Sequence, residues 1–250
     1  MNEETSPGEN RIFRQAESSS SRPREPEDRI DMFEEIEAHL DRFFGGADRV
    51  VLHGTASDLI ELDVHVIAPS DGFPFQRLVT NGMSSHPMTM PDGFDRPPSA
   101  ELTIALPADW PVPEDGAPPW DAASGERAYW PIRLLETLTR LPREHSTFLW
   151  PSHTIPNGDP PDPYADDTEL CGALIIDPFS SPEGFSELRL PDGRTVSFFG
   201  VLPIHDDEME LARSKGFDAL ADLLARNEIT DVLDKDRPSV VPRRRRLFGR

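Results

Sequence analysis

The side chains that could do chemistry in this chain are few and widely spaced. Asp63 and His65 alternate onto one face of an extended segment, and with His86, His153 and Asp159 they form the set that could ligate a metal. No His-x-x-x-His or Cys-x-x-Cys fixes two ligands on one element, so the pattern argues against a metal centre, and no cofactor is expected. Ser84, Ser85 and Cys171 could act as nucleophiles with His86 or His153 as base. Neither a Gly-x-Ser-x-Gly elbow nor a Gly-rich phosphate loop is present. Cys171 opens an apolar run and reads as a small core residue. A metal-dependent hydrolase built on Asp63, His65 and His153 is therefore the weakest functional reading; no catalytic residue is assigned and the chain is read as a non-enzyme.

A stronger signal lies in the segment from Trp150 to Tyr164. Pro151, Pro156, Pro160, Pro161 and Pro163 exclude a helix or a central strand, because proline fixes φ and donates no backbone hydrogen bond. Asn157-Gly158 supplies the positive φ of a tight turn. A loop this stiff loses little entropy when held in one shape. It carries His153, Asn157, Asp159 and Tyr164 as polar groups able to face a partner. Trp150, flanked by proline, is the tryptophan best placed as a binding anchor, with Trp110 and Trp120 as further candidates and Trp130 read as a helix staple. Met83, Met88 and Met90 are either an adaptable contact surface or plugs under a loop.

These groups must be positioned by a chain of 250 residues and net charge −21. Residues 237–250 contribute +6, all from arginine, so the remaining residues carry −27. An acidic body repels nucleic acid, favours basic proteins and steers their approach. The run Arg243-Arg244-Arg245-Arg246 is read as solvated or folded back on that body rather than as a nucleic-acid or membrane anchor. A single cysteine allows no intrachain disulfide, and Met1-Asn2-Glu3-Glu4 is not a secretory leader, so a cytoplasmic location is expected. No run reaches the roughly 18 apolar residues that span a bilayer. Only Lys215 and Lys235 are lysines, a bias that points to a GC-rich bacterial genome.

Three regions are expected: a disordered tail over 1–28, a folded domain over 29–236 and a basic tail over 237–250. Helical spacing of Ile30, Phe33, Ile36, Leu40, Phe43 and Phe44 predicts a first helix, capped by Asp28 or Asp31 and ended by Gly45-Gly46. Strands follow at Val50-Val51-Leu52, at 59–67 with Ile60, Leu62, Val64 and Val66 on the one buried face, at 75–80 and at 101–106. A second helix is expected over 130–141, with Pro131 in its first turn. A strand at 170–176, a hairpin about Asp192-Gly193 and two helices parted by Gly216 complete the domain. The order argues for one α+β domain around a mixed or antiparallel sheet flanked by helices.

His153 to Tyr164 resembles the signature of the suppressor of fused family, His-Thr-Ile-Pro-Asn-Gly-Asp-Pro-Pro-x-Pro-Tyr. Leu78-Val79-Thr80-Asn81-Gly82-Met83-Ser84, Ala105 to Trp110 and Trp130 to Leu135 resemble three further blocks in the same order, so the resemblance spans roughly residues 33–238. It implies a protein-binding domain. Animal members restrain zinc-finger transcription factors and hold a peptide as an added strand between two domains, of which this chain resembles the first. Single-domain bacterial relatives imply an immunity protein that neutralises a toxin, with a regulator that sequesters an endogenous peptide as the alternative. The partner contact carried over falls between Arg140 and His153, where Phe148 keeps an aromatic and Ser152 replaces an acid. Phe148, Trp150, Ser152, His153, Asn157, Asp159 and Tyr164 are the expected partner-binding residues.

Overall fold

The computed structural model of the protein describes residues 2–5, 11–14, 30–57, 60–112 and 124–242. Asp28, Trp120 and the Arg243–Arg246 run lie outside them. Strands β1 (Asn2–Thr5) and β2 (Arg11–Arg14) form a small antiparallel pair of their own. The body contains α1 (Phe33–Phe44), β3 (Arg49–Ser57), β4 (Ile60–Ile67), β5 (Phe75–Asn81), β6 (Ser99–Pro107), α2 (Ser124–Glu144), β7 (Thr154–Pro156), β8 (Gly172–Ile176), β9 (Glu187–Arg189), β10 (Thr195–Ile204), α3 (Asp206–Lys215) and α4 (Phe217–Arg226).

One eight-stranded sheet runs β3-β4-β5-β6-β10-β8-β7, with β9 also paired to β10. The β6–β10 pair is parallel and the others are antiparallel, so the sheet is mixed and the domain is α+β as expected. Both faces are covered. Trp130, Leu134, Leu135 and Leu138 of α2 pack on Val64, Val66, Leu78, Ile104, Phe199 and Val201. Across the sheet, Ile36, Leu40 and Phe44 of α1 meet Val79, Val196 and Phe198, while Leu220 and Leu224 of α4 meet Leu202 and Ile204. Burial on two sides explains why β8 reads as an apolar run rather than as an alternating strand, whereas β6, equally buried, alternates and must satisfy Glu101 and Thr103 inside the core.

The expected hairpin forms, with Gly193 at φ 89° in its turn. The helix pair breaks at Gly216, also at φ 89°. Two expectations are corrected. Helix α2 begins at Ser124, so Pro131 lies inside it and leaves the Arg127 carbonyl without an intrahelical donor. Complete burial of Trp130 and Leu135 holds this turn helical despite the proline. The second face of β4 is open only in part: Glu61 is exposed, but His65 is fully buried beneath α1, where Asn81 Nδ2 donates to the Phe33 carbonyl and lies 3.4 Å from His65 Nε2.

Three buried polar networks fix the chain where apolar packing alone would not choose a register. Glu101 accepts from Thr80 Oγ1 (2.5 Å), Gly82 N (3.1 Å), Ser84 N (2.9 Å) and Ser84 Oγ (2.6 Å). It therefore shapes the Leu78–Ser84 block, in which a Cβ on Gly82 would stand 2.3 Å from the Glu61 carbonyl oxygen. Burial pushes the Glu101 pKa up against these donors. Arg77 donates to the Ser180 carbonyl (2.7 Å) and Oγ (3.0 Å), and Ser180 in turn donates to Asp231. Arg237 grips both carboxylate oxygens of Glu208 at 2.7 and 2.6 Å, with the two side chains 3% and 0% exposed.

Glu208 also accepts from the backbone of His205 and Val240, each at 2.9 Å. Desolvation works to raise the Glu208 pKa, and the Arg237 hydrogen bonds and charge overcome it and hold it below the ordinary value. The folded body accordingly extends through Val240, and the first residues assigned to a basic tail from 237 belong to the core. Arg237→Ala strands a buried carboxylate, so urea denaturation should show a loss of about 3–5 kcal/mol. Replacing Arg237 and Glu208 together by methionine should cost much less; equal losses in the two variants would rule out the unpaired charge as the cause.

Candidate partner-binding surface

Tyr164 anchors the proline-rich segment at its C-terminal end. Its ring stacks on Trp130 at 5.0 Å and an interplanar angle of 5°, and Trp110 meets Trp130 edge-on at 6.1 Å. Trp110 Nε1 donates to the Ala128 carbonyl (2.9 Å), and Tyr164 exchanges backbone contact with Leu170 through its N–H (3.0 Å). Desolvation drives the Tyr164 pKa up, keeping the phenol neutral. Tyr164 and Phe148 are thus buried, and the expectation that Tyr164 faces outward is corrected: its ring is needed to close the core beneath α2.

At the N-terminal end, Trp150 is half-buried, edge-on to Phe94 (5.3 Å) and Phe199 (5.1 Å), with the Arg96 guanidinium 5.9 Å from its ring centre. Pro151 and Ser152 form a tight turn closed by His153 N donating to the Trp150 carbonyl (3.0 Å). Ser152 has φ 80°, the position where a type II turn favours glycine. The His153 ring packs edge-on to Phe148 at 4.9 Å, and burial lowers its pKa to about 4. The chain then forms β7, a three-residue edge strand paired with β8, where a loop was expected; proline is tolerated because this edge pairs with no further strand among the described residues.

Beyond β7, Asn157 N donates to the Cys171 carbonyl (2.8 Å) and Asn157 Nδ2 to the Asp162 carbonyl (2.6 Å), while Asp162 N returns to the Asn157 carbonyl (2.8 Å). Gly158 takes φ 95°, as its place after Asn157 predicts. Asp159, Asp162 and Glu169 are exposed along this rim. Asp166 and Asp167 are engaged by Arg127 and Lys235. A cavity of about 510 Å³ opens beside them, floored by Trp110, Ala128 and Leu233. Phe94 and Arg96 were not among the expected site residues, since they lie more than fifty positions from the signature and only folding brings them to Trp150.

The groups weighed for catalysis are placed apart. Asp63 Oδ1 pairs with His53 Nδ1 (2.8 Å), and His65 sits in the core with burial lowering its pKa to about 4. Among the described residues no three His, Cys, Asp or Glu side chains are grouped to hold a metal. Ser84 donates to Glu101, and His86 Nδ1 lies 2.7 Å from Arg143 Nη1. Burial and then Asp206 push the Cys171 thiol up, away from the reactive thiolate. Met83 and Met88 are buried core plugs, with Met90 packed at the edge. No described helix is long and apolar enough to cross a membrane.

A mixed sheet sandwiched by helices, with an aromatic-anchored proline segment on one edge, defines the class of this α+β domain. The family model for suppressor of fused protein matches residues 58–238. The chain belongs to the suppressor of fused family. A protein of Neisseria gonorrhoeae described as a suppressor of fused homologue superposes with TM-score 0.60 at 17% identity, covering 84% of this chain and 97% of that one. A chain of the Sufu–Fu complex superposes with TM-score 0.56 at 18% identity, covering 85% and 93%. Drosophila Suppressor of Fused superposes with TM-score 0.55 at 18% identity, covering 87% of this chain but only 54% of that protein. No curated protein sequence matches the chain.

Two outcomes follow from this geometry. Ser152→Gly should stabilise the fold by up to about 1 kcal/mol by removing left-handed strain, and Ser152→Val should destabilise it; thermal melts of the pair check the sign. His65 is neutral in the fold and free to protonate when unfolded, so its contribution is complete above pH 6.5 and is lost as pH falls toward its folded pKa of about 4. Urea titrations across that window should show a loss of up to about 3 kcal/mol from this residue, and His65→Gln should flatten the slope. The difference between the two proteins removes the opposing contribution of Glu101, whose raised pKa favours the fold at the acidic end.

Proposed function

We propose that this chain is a non-catalytic protein-binding domain that occludes a basic partner, as an immunity-type inhibitor of a toxin acting in the cytoplasm. The observation that carries this reading is the family signature itself, folded as a stiff, acidic, outward-facing edge of the sheet. Asp159, Asp162 and Glu169 stand exposed on a segment whose two ends are locked by Trp150 and Tyr164. Ser152, His153 and Asn157 lie half-buried along its crest, while Phe148, Trp150 and Tyr164 act from beneath by holding its shape. A preorganised loop avoids the entropic cost of ordering on binding. Net charge of −21 speeds encounter with a basic surface. Among similar structures, the Sufu–Fu complex is an assembly of a related chain with another protein, which supports binding as the family mode.

A regulator that holds an endogenous peptide by strand addition is the second reading. It is favoured by β7, where His153 O accepts from Ile175 N (2.9 Å) and Asn157 N donates to Cys171 O. Alternation then turns the N–H and C=O of Thr154 outward. The experiment is a tagged-chain capture from the native organism, eluted at rising salt. A basic partner should be released at moderate salt, and Asp159→Lys should weaken its binding about tenfold at unchanged melting temperature. Thr154→Pro should abolish binding only if the partner adds as a strand. A captured partner that is acidic, or indifferent to both salt and Asp159→Lys, would sink the occlusion reading.

A further inference from the structure

The opposite edge of the sheet is built differently from β7. Strand β3 is nine residues long and lies at the end of the strand order. Natural edges are protected by lysine, by proline, by shortness, by bulges or by inward charge, and of these β3 carries only a register shift between Thr55 and Ser57 at its far end. From Val50 to Ser57 the chain reads Val-Val-Leu-His-Gly-Thr-Ala-Ser, without an acid, a lysine, an arginine or a proline. This is an uncharged stretch on a protein of net charge −21. Val50 is 40% exposed and one of the two large hydrophobics so exposed among the described residues. The Ala68 N–H bonds the Asp48 carbonyl at 2.8 Å, and Val50 and Leu52 pair with Val66 and Val64 in step with it. By alternation, the backbone N–H and C=O groups of Arg49, Val51, His53 and Thr55 point away from β4 and pair with no described strand.

We infer that the β3 edge is a homodimer seam, in which β3 of a second copy pairs antiparallel about a two-fold axis through Leu52. An edge meant for a basic segment would be lined with acids, whereas this one carries no acid and, apart from Arg49 at its start, no lysine or arginine, and so suits a strand of the same composition. The register about Leu52 is self-complementary. Val51 exchanges both backbone hydrogen bonds with His53 of the second copy, and Arg49 does so with Thr55, each pair occurring twice by symmetry. Exposed Val50 then lies across from Gly54, which leaves room for it. Centring on Val51 instead would oppose Arg49 to His53, and centring on His53 would oppose two histidines. The seam makes one continuous sheet across both copies, with the two β7 edges at its far ends. It brings two bodies of like charge together, so salt should strengthen it, the reverse of the partner contact proposed above.

The test is sedimentation equilibrium of the full chain across protein concentration, at low and high salt, with amide exchange read at Val51 and His53. A concentration-dependent dimer that tightens with salt and protects both amides is expected. Val50→Lys places a charge in the seam, and Val51→Pro deletes an outward donor while leaving the β3–β4 ladder intact; each should weaken the dimer by at least about tenfold with an unchanged circular dichroism spectrum. A wild-type chain that stays monomeric at every concentration overturns the inference. So does a dimer that Val50→Lys leaves intact, because its seam must then lie elsewhere. Neither result bears on capture of a basic partner at the β7 edge.

Discussion

The stack of Tyr164 on Trp130 is the contact on which the rest of the architecture leans. Trp130 sits in the first half of α2, fully buried, and α2 packs on one face of the sheet. Tyr164 lies at the far end of the proline segment, and its ring closes the same core from the edge. Trp110, at the start of the connection leaving β6, completes the cluster. Three of the sequence blocks shared with the family therefore converge on one aromatic group, although they lie up to 54 positions apart in the chain. Aromatic pairs of this kind add about 0.5–1.5 kcal/mol beyond their buried area. Their larger effect here is geometric, since a segment with five prolines cannot pair along its length and must be pinned at its ends.

The polar interior explains why one arrangement is chosen. A sheet apolar on both faces could slip in register at little hydrophobic cost. Glu101 removes that freedom between β5 and β6 through Thr80 and the Gly82–Ser84 turn, while Arg77 and the Glu208–Arg237 pair tie β5 and α3 to segments outside the sheet. Each also carries a desolvation cost that its partners must offset. The donors on Glu101 come from a turn adjoining β5, those on Glu208 from the start of α3 and from the chain beyond Arg237. Distant parts of the chain are thereby locked together by groups that contribute little net stability but make misaligned pairings costly.

Much of this fold was readable where local chemistry dictates local shape. Asp192-Gly193 demanded a tight turn, Gly216 ended one helix and opened another, and Ile36, Leu40 and Phe44 marked a helix face. What failed to read was tertiary in origin. Pro131 looked like a helix start because nothing in the sequence shows that Trp130 will be buried on both sides. His65 looked like a strand's exposed face because the helix that covers it precedes it in the chain by twenty residues or more. Strand β7 was hidden by its own prolines. The site was readable as a segment but not as a surface, since the inward turn of Phe148 and Tyr164 and the arrival of Phe94 and Arg96 depend on packing.

The two sheet edges are proposed to serve different kinds of recognition. At β7 the strand is short, ends in proline and is followed by exposed acids, so little backbone is free and discrimination rests on charge and shape. At β3 the strand is long and, beyond Arg49 at its start, carries no acid, lysine or arginine, so backbone pairing dominates and the charge of the two bodies acts chiefly as a distant repulsion. Screening weakens the first kind of contact and relieves the opposition to the second. The core between them is continuous: β10 pairs with β6 on one side and with β8 on the other, and both faces are covered by helices. Neither edge therefore needs the other to move. Recognition at each is set by what its own residues expose, which is the consequence of placing a rigid sheet between a charged border and a neutral one.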